Sequence, residues 1–295
     1  MMCSAPTANR MQRRPLAVVA EIASPSTSDE PRQRAAMHSL EFALSQRVQP
    51  SMQCLLHRRL NRDLMNIFDN PAPGVFVEPE ASDITNVHAV IVGPDRTPYQ
   101  GGFFHFVLKC LIDYPARPPL VRFMTTDAGR VRFNPNLYSS GLVSLSILGT
   151  FPGPSWTPEM TLKTVLVSIQ SLLTKQSLAD EPALGREVGT WLEETTGYNA
   201  KLRFQTLRVA ICDVLEACLL GNSSYPPVLQ QAVLKHFVDH YAKYEIVACS
   251  QLSLDPSSLT GNMKASQGYE TLLQRLRDLY SRILQKSASV TLKKT

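Results

Sequence analysis

Along this chain the apolar positions change period several times, and the changes mark its elements. Met52, Leu55, Leu56, Leu60, Leu64, Ile67 and Phe68 recur at helical spacing, with Ser51 placed to cap and Pro71 and Gly74 to terminate. Three stretches then turn β-branched and aromatic between Pro and Gly turns: 87–92, 102–109 and 120–125. They predict an antiparallel meander. Helical spacing returns at 159–174, with Thr157 as a cap and Pro158 in the first turn, where a missing N–H costs nothing. Further amphipathic helices are read from Tyr198 to Leu220, from Val228 to about Ala248 and from about Gln267 to Leu284. Gly221 to Pro227 is a break, and residues 250–265 read as loop.

Residues 1–50 carry only a weak period around Met37, Leu40, Phe42 and Leu44, within a Ser-, Pro-, Ala-, Gln- and Arg-rich background. This reads as a disordered leader rather than a transit peptide. The expected organisation is a leader at 1–50, a core domain at 51–220 and a helical extension at 221–295.

Composition narrows the classes. With 295 residues and 44% hydrophobic content, the chain can bury a sizeable core. A net charge of +5 without basic runs and interleaved aromatics gives no reason to invoke nucleic acid. No apolar run reaches the roughly 18 residues of a membrane span. The six cysteines show neither C-x-x-C nor metal-ligand spacing, so reduced thiols, no metal, no cofactor and a cytoplasmic and nuclear location are expected. His88 and His105 lie inside strands and read as packed or edge histidines.

The densest chemistry lies in residues 131–158. An Asn134-Pro135-Asn136 turn leads through Gly141 to Ser144, and Trp156-Thr157-Pro158 follows. Upstream stand Gly93-Pro94, Thr97-Pro98-Tyr99, Gly101-Gly102, Tyr114-Pro115 and Pro118-Pro119. In this order and at these spacings the set resembles the ubiquitin-conjugating (E2) enzymes over roughly residues 51–220. The long gap from Ser144 to Trp156, Arg132 to Asn136 and Leu145 to Thr150 resemble the Z-type members of that family, as do a leader and a helical extension.

The resemblance implies an α+β fold: a four-stranded antiparallel meander with flanking helices, plus a helical C-terminal extension. It also implies an acyl relay, in which a cysteine takes the glycyl end of ubiquitin as a thioester and a lysine then attacks it. Partners would be ubiquitin or a ubiquitin-like modifier, an activating enzyme (the alternative one among them) and ligases.

Ser144 stands at the cysteine position. A thiol ionises at about pH 8.5, whereas a hydroxyl needs an adjacent base, and no histidine is near in sequence. Any ester formed would be a less reactive oxyester. A small polar residue in a shallow groove is therefore favoured over a working serine nucleophile. Asn136 matches the family's oxyanion and loop asparagine, although asparagine also suits the turn itself. Asn134 stands where the wider family has histidine, as the Z type does. Asp180 and Glu181 match the loop acid that orients the incoming lysine, and a solvated acid is the plainer reading of either. Cys110 and Cys212, proposed as replacement nucleophiles, read as inert.

At the ligase-docking surface the resemblance places Ala116, Trp156, Pro158 and Glu159. Ala116 replaces a large apolar residue and Glu159 replaces alanine, so ordinary docking is in doubt. Arg58, Arg59 and Arg62 read as a solvated helix face or a docking surface for an acidic partner. Three departures on two functions favour a diverged member with transfer activity lost or strongly impaired. The alternative is an active conjugating enzyme with Ser144 as an engineered trap or an unusual nucleophile. A structural interaction module outside the pathway is the third class.

Overall fold

The computed structural model describes residues 51–174, 188–252 and 265–292. The expected leader, together with Asp180 and Glu181, lies outside them. Helix α1 covers residues 51–69, with Ser51, the expected cap, already helical. Leu56, Leu60, Leu64 and Ile67 face inward, while Met52, Leu55 and Phe68 are exposed.

Four strands follow in sheet order: β1 (Val75–Glu80), β2 (Asp83–Val92), β3 (Phe103–Lys109) and β4 (Leu120–Phe123), all antiparallel neighbours. The fold is the expected α+β one, and the four-stranded meander is present. β1 was not visible in the residue pattern. Its Val75 and Val77 alternate inward, but Glu78-Pro79-Glu80 reads as a loop, and the strand forms through pairing with β2. β4 ends at Phe123, two residues before the expected limit.

Helix α2 (Leu162–Ser171) lies behind the sheet. Its cap is Thr161, whose hydroxyl oxygen accepts from the Thr164 N–H, rather than Thr157 with Pro158 in the first turn. The reason is tertiary. The Pro158 and Met160 carbonyls accept hydrogen bonds from Arg59, at 2.7 and 2.5 Å, and so hold residues 158–160 outside the helix.

After the undescribed 175–187 segment, α3 (Val188–Gln205) runs into a π-helical stretch, Thr206–Asp213, and then α4 (Val214–Leu220). The helix expected over 228–248 is two, α5 (Pro227–Asp239) and α6 (Tyr241–Leu252), interrupted at His240. α7 (Ala265–Leu292) closes the described chain.

Both sheet faces are used. α1, α2 and the inner residues Val77, Ala89, Ile91, Phe104, Phe106 and Leu108 form one apolar cluster. Val90, Val92 and Phe103 on the outer face join α4 to α7 in a second, with Leu229, Phe237, Tyr244 and Leu276. The Tyr244 ring lies so close to Gly101 that a Cβ there would come within 2.5 Å of it. The boundary read at residue 220 thus runs through one apolar cluster.

Candidate functional site around Ser144

β4 leads into a loop and then a tight hairpin. The Ser144 N–H donates to the Asn136 carbonyl at 2.8 Å, and the Tyr138 N–H to the Leu142 carbonyl at 3.0 Å. Gly141 is needed in this turn. Its φ is +92°, and a Cβ there would sit 2.8 Å from the Phe123 carbonyl oxygen. Asn136 and Ser144 are therefore brought opposite one another by backbone pairing.

Asn134 fixes this hairpin from below. It is buried; its amide donates to the Tyr99 hydroxyl oxygen (3.0 Å) and the Leu172 carbonyl (2.8 Å), and its carbonyl accepts from the Asn136 N–H (2.8 Å). Tyr99 in turn donates to the Phe133 carbonyl. A residue noted in the sequence only for what it replaces is the one that ties the turn to the end of α2. Among the described residues, the Asn136 side chain itself makes no hydrogen bond. It is partly exposed.

Ser144 is only 6% exposed, and its hydroxyl donates to the Thr150 carbonyl at 3.2 Å. Thr150 also pins the segment after Ser144: its hydroxyl donates to the Val143 carbonyl (2.7 Å) and accepts from the Leu145 N–H (2.9 Å). Gly149, at φ 71°, closes the one-turn helix Ser146–Leu148 between them. No histidine, carboxylate or amine among the described residues hydrogen-bonds Ser144. His88 and His105, the strand histidines, bond each other at 3.0 Å. Burial holds His105 down to about 3, and His88 is lowered for the same reason. They are a packed pair.

Cys110 and Cys212 do not substitute. Both are buried, and burial pushes each thiol up to about 12. A thiol held protonated is a poor nucleophile.

At the corner beside Trp156, the geometry corrects one expectation. Arg59 is not part of a solvated face. Its side chain is 10% exposed, pairs with Asp63 at 2.9 Å and lies over the Tyr114 ring. Asp63, 1% exposed, also accepts the Tyr114 hydroxyl. The Trp156 indole donates to the Pro115 carbonyl at 2.7 Å. Arg58 and Arg62 are exposed, as are Ala116, Pro158 and Glu159, while Trp156 is half-buried. The Thr157 hydroxyl and the backbone hold the Glu159 carboxyl below its usual range. The exposed residues of this corner thus stand on a buried polar cluster that pattern reading missed, because a buried aspartate within a helix shows no period of its own.

Comparison with known proteins agrees with this geometry. The family profile "Ubiquitin-conjugating enzyme" matches residues 59–206, the span holding the sheet, the Ser144 hairpin and the Trp156 corner. The chain belongs to the ubiquitin-conjugating enzyme family. It is 41% identical over 244 residues to ubiquitin-conjugating enzyme E2 Z of Xenopus tropicalis, covering 82% of this chain and 75% of that one. To the Homo sapiens E2 Z it is 41% identical over 237 residues, 79% of this chain and 65% of the relative. A shorter match, 36% identical over 181 residues, is to the human dual E2 ubiquitin-conjugating enzyme/E3 ubiquitin-protein ligase BIRC6, covering 59% of this chain and 4% of that protein. The E2 Z similarity runs well beyond the family profile. Among the described residues, no helix of this ubiquitin-conjugating fold is long and apolar enough to cross a membrane, and no three metal-ligating side chains gather.

Proposed function

We propose that the chain is a Z-type ubiquitin-conjugating-fold protein whose acyl transfer is lost or strongly impaired. It acts by binding ubiquitin or a ubiquitin-like modifier, an activating enzyme or another conjugating enzyme. The observation that carries this is the Ser144 hydroxyl, which donates to the Thr150 carbonyl with no base hydrogen-bonded to it among the described residues. Nucleophilic serine chemistry requires a group to take that proton. The buried Cys110 and Cys212 supply no replacement. The exposed Ala116 and Glu159 add to the reading, because a partner covering this corner would find no large apolar anchor at Ala116 and a carboxylate at Glu159. Residues 51–220 are read as the core that binds, residues 221–295 as its extension, and the location as cytoplasmic and nuclear.

The test is a charging assay with activating enzyme, ATP and ubiquitin, run on the chain and on Ser144→Cys. The expected result is no adduct from the chain and a reductant-sensitive adduct from Ser144→Cys. A reductant-resistant, base-labile adduct on the chain that discharges rapidly to lysine would overturn the impaired reading. No adduct from either protein places the loss at partner binding. Ubiquitin affinity measured by titration then separates a pathway binder from a module outside the pathway.

A further inference from the structure

The end of β2, helix α2 and the C-terminal helices do not close on one another completely. Between them lies a cavity of about 670 Å³, the size of a small-molecule site. Val92 of β2, Val167 of α2, Leu207 of the π-helical stretch and Val247 of α6 give it an apolar wall. Its ionisable lining groups are Asp95, His236, His240 and Lys243.

Hydrogen bonds hold the walls in place. The Gln170 amide donates to the Pro73 carbonyl at 2.8 Å and ties α2 to the turn before β1. The Tyr244 hydroxyl donates to the Gly101 carbonyl at 3.1 Å and ties α6 to the turn before β3. The cavity is therefore formed before anything enters it, which removes part of the cost of binding.

His236 is the polar group that the fold leaves without a partner. Its ring lies edge-on to Phe76 and Phe103, each at 5.9 Å, and stacks on His240 at 4.2 Å. Neither of its ring nitrogens makes a hydrogen bond among the described residues. Burial, and then the neighbouring His240, holds it down to about 4, so near neutral pH it presents an N–H rather than a charge. His240 donates its own Nδ1–H to the His236 carbonyl at 2.9 Å.

Lys243 pairs with Asp95 at 3.3 Å, but the two side chains are 58% and 63% exposed, and so open a pair adds little stability. A ligand carboxylate can therefore take the ammonium from Asp95 and accept the N–H of His236, and it favours a proton on either imidazole. A ligand ammonium would instead face Lys243.

We propose that this cavity binds a fatty-acid-type molecule, its apolar body against Val92, Val167, Leu207 and Val247 and its carboxylate received by Lys243 and His236. The occupant touches both the ubiquitin-conjugating core and the C-terminal extension, so binding stabilises the folded chain across that junction. The proposal goes beyond the functional reading above and stands whether or not Ser144 can be acylated.

The experiment is isothermal titration calorimetry on the full chain near neutral pH with decanoate, decanol and decylamine, each below its micelle concentration. Decanoate is expected to bind once per chain, to raise the melting temperature, and to bind about tenfold tighter than decanol or decylamine. Lys243→Met and His236→Phe should each lower decanoate affinity about tenfold, and Val167→Trp, which fills the cavity from α2, should abolish binding. Circular dichroism checks that the variants fold. If Val167→Trp or His236→Phe does not fold, Lys243→Met, an exposed change, decides alone. Equal or tighter binding of decanol or decylamine would overturn the proposal. So would unchanged decanoate affinity in any folded variant, uptake of many decanoates per chain, or absence of saturable binding.

Discussion

Two polar arrangements lie on either side of the loop that ends at Trp156, and they are built on different terms. At the corner, Asp63 is a buried carboxylate held by Arg59 and by the Tyr114 hydroxyl, and Arg59 reaches on to the Pro158 and Met160 carbonyls. At the hairpin, Ser144 is a neutral hydroxyl resting on one backbone carbonyl. The first ties α1 to the loop before α2. The second ties nothing that the Thr150 side chain does not already hold. Burial and hydrogen bonding alone therefore do not tell a structural polar group from a chemical one. The distinction lies in how many elements a group joins, and in whether a proton acceptor faces it.

The largest effect expected from this difference is at Asp63. Asp63→Ala leaves a buried guanidinium and a buried phenol without their shared acceptor, and should destabilise the fold by about 3–5 kcal/mol. Urea unfolding measures it. A loss below about 1 kcal/mol would mean that the cluster is relaxed by its carbonyl partners and that the contrast with Ser144 is small.

Next comes Asn134, which lies structurally between the two cases because it supports the hairpin from the core. Asn134→Ala removes the acceptor of the Asn136 N–H and one of the two donors to the Leu172 carbonyl, which keeps the Thr174 N–H, and should cost about 1–3 kcal/mol. In a Ser144→Cys background it should also slow thioester formation, since Asn136 would keep its backbone pairing with residue 144 but lose the bond that fixes its N–H in the turn. If stability falls while charging of the folded protein is unchanged, Asn134 is purely structural.

How far these features could be read in advance differs by cause. The inward rows of α1 and of β2 and β3 were legible because burial imposes a period on local sequence. β1 was not, since Glu78-Pro79-Glu80 carries no period, and the strand exists by virtue of β2. The start of α2 was misplaced because Thr157-Pro158 satisfies every local rule for a helix start. What prevents that start is Arg59, about a hundred residues earlier in the chain. Arg59 itself read as surface for the same reason: its partners are far apart in sequence. The hairpin residues Asn136 and Ser144 were legible as a family pattern. Their environment, a hydroxyl bonded to a carbonyl with no base bonded to it among the described residues, shows only in the folded structure.

A fourth buried polar group, His105, extends the comparison to the outer face. It is 1% exposed, bonds His88 at 3.0 Å, and packs its ring on Tyr225 of the segment between α4 and α5. Its folded value, about 3, lies below the ordinary 6.5, so the folded state holds it neutral where the unfolded chain is protonated. Stability should therefore be intact above 6.5 and fall as pH drops from there toward 3. The limiting slope is about 1.4 kcal/mol per pH unit. His105→Gln should flatten this slope in urea titrations run across that window. The carboxylates Asp83 and Asp127, lowered from 3.8 to about 2, begin to lose their contribution only below about pH 3.8, so the His105 effect is read above that. An unchanged slope in the variant would assign the acid sensitivity to other groups.

The smallest effect is the sharpest test of the contrast. Ser144→Ala deletes a hydroxyl bonded to a single carbonyl, and Thr150 keeps its own bonds to Val143 and Leu145. The Thr150 carbonyl is in an exposed residue and can turn to water, so the expected cost is below about 1 kcal/mol. Binding of ubiquitin should be unchanged within error, because Ser144 is only 6% exposed and its hydroxyl is already engaged by the Thr150 carbonyl. A partner that senses Ser144→Ala would show instead that the hydroxyl leaves Thr150 when the groove is occupied. Ser144 would then be a contact residue, and the case for an idle hydroxyl would fail even if no ester ever forms.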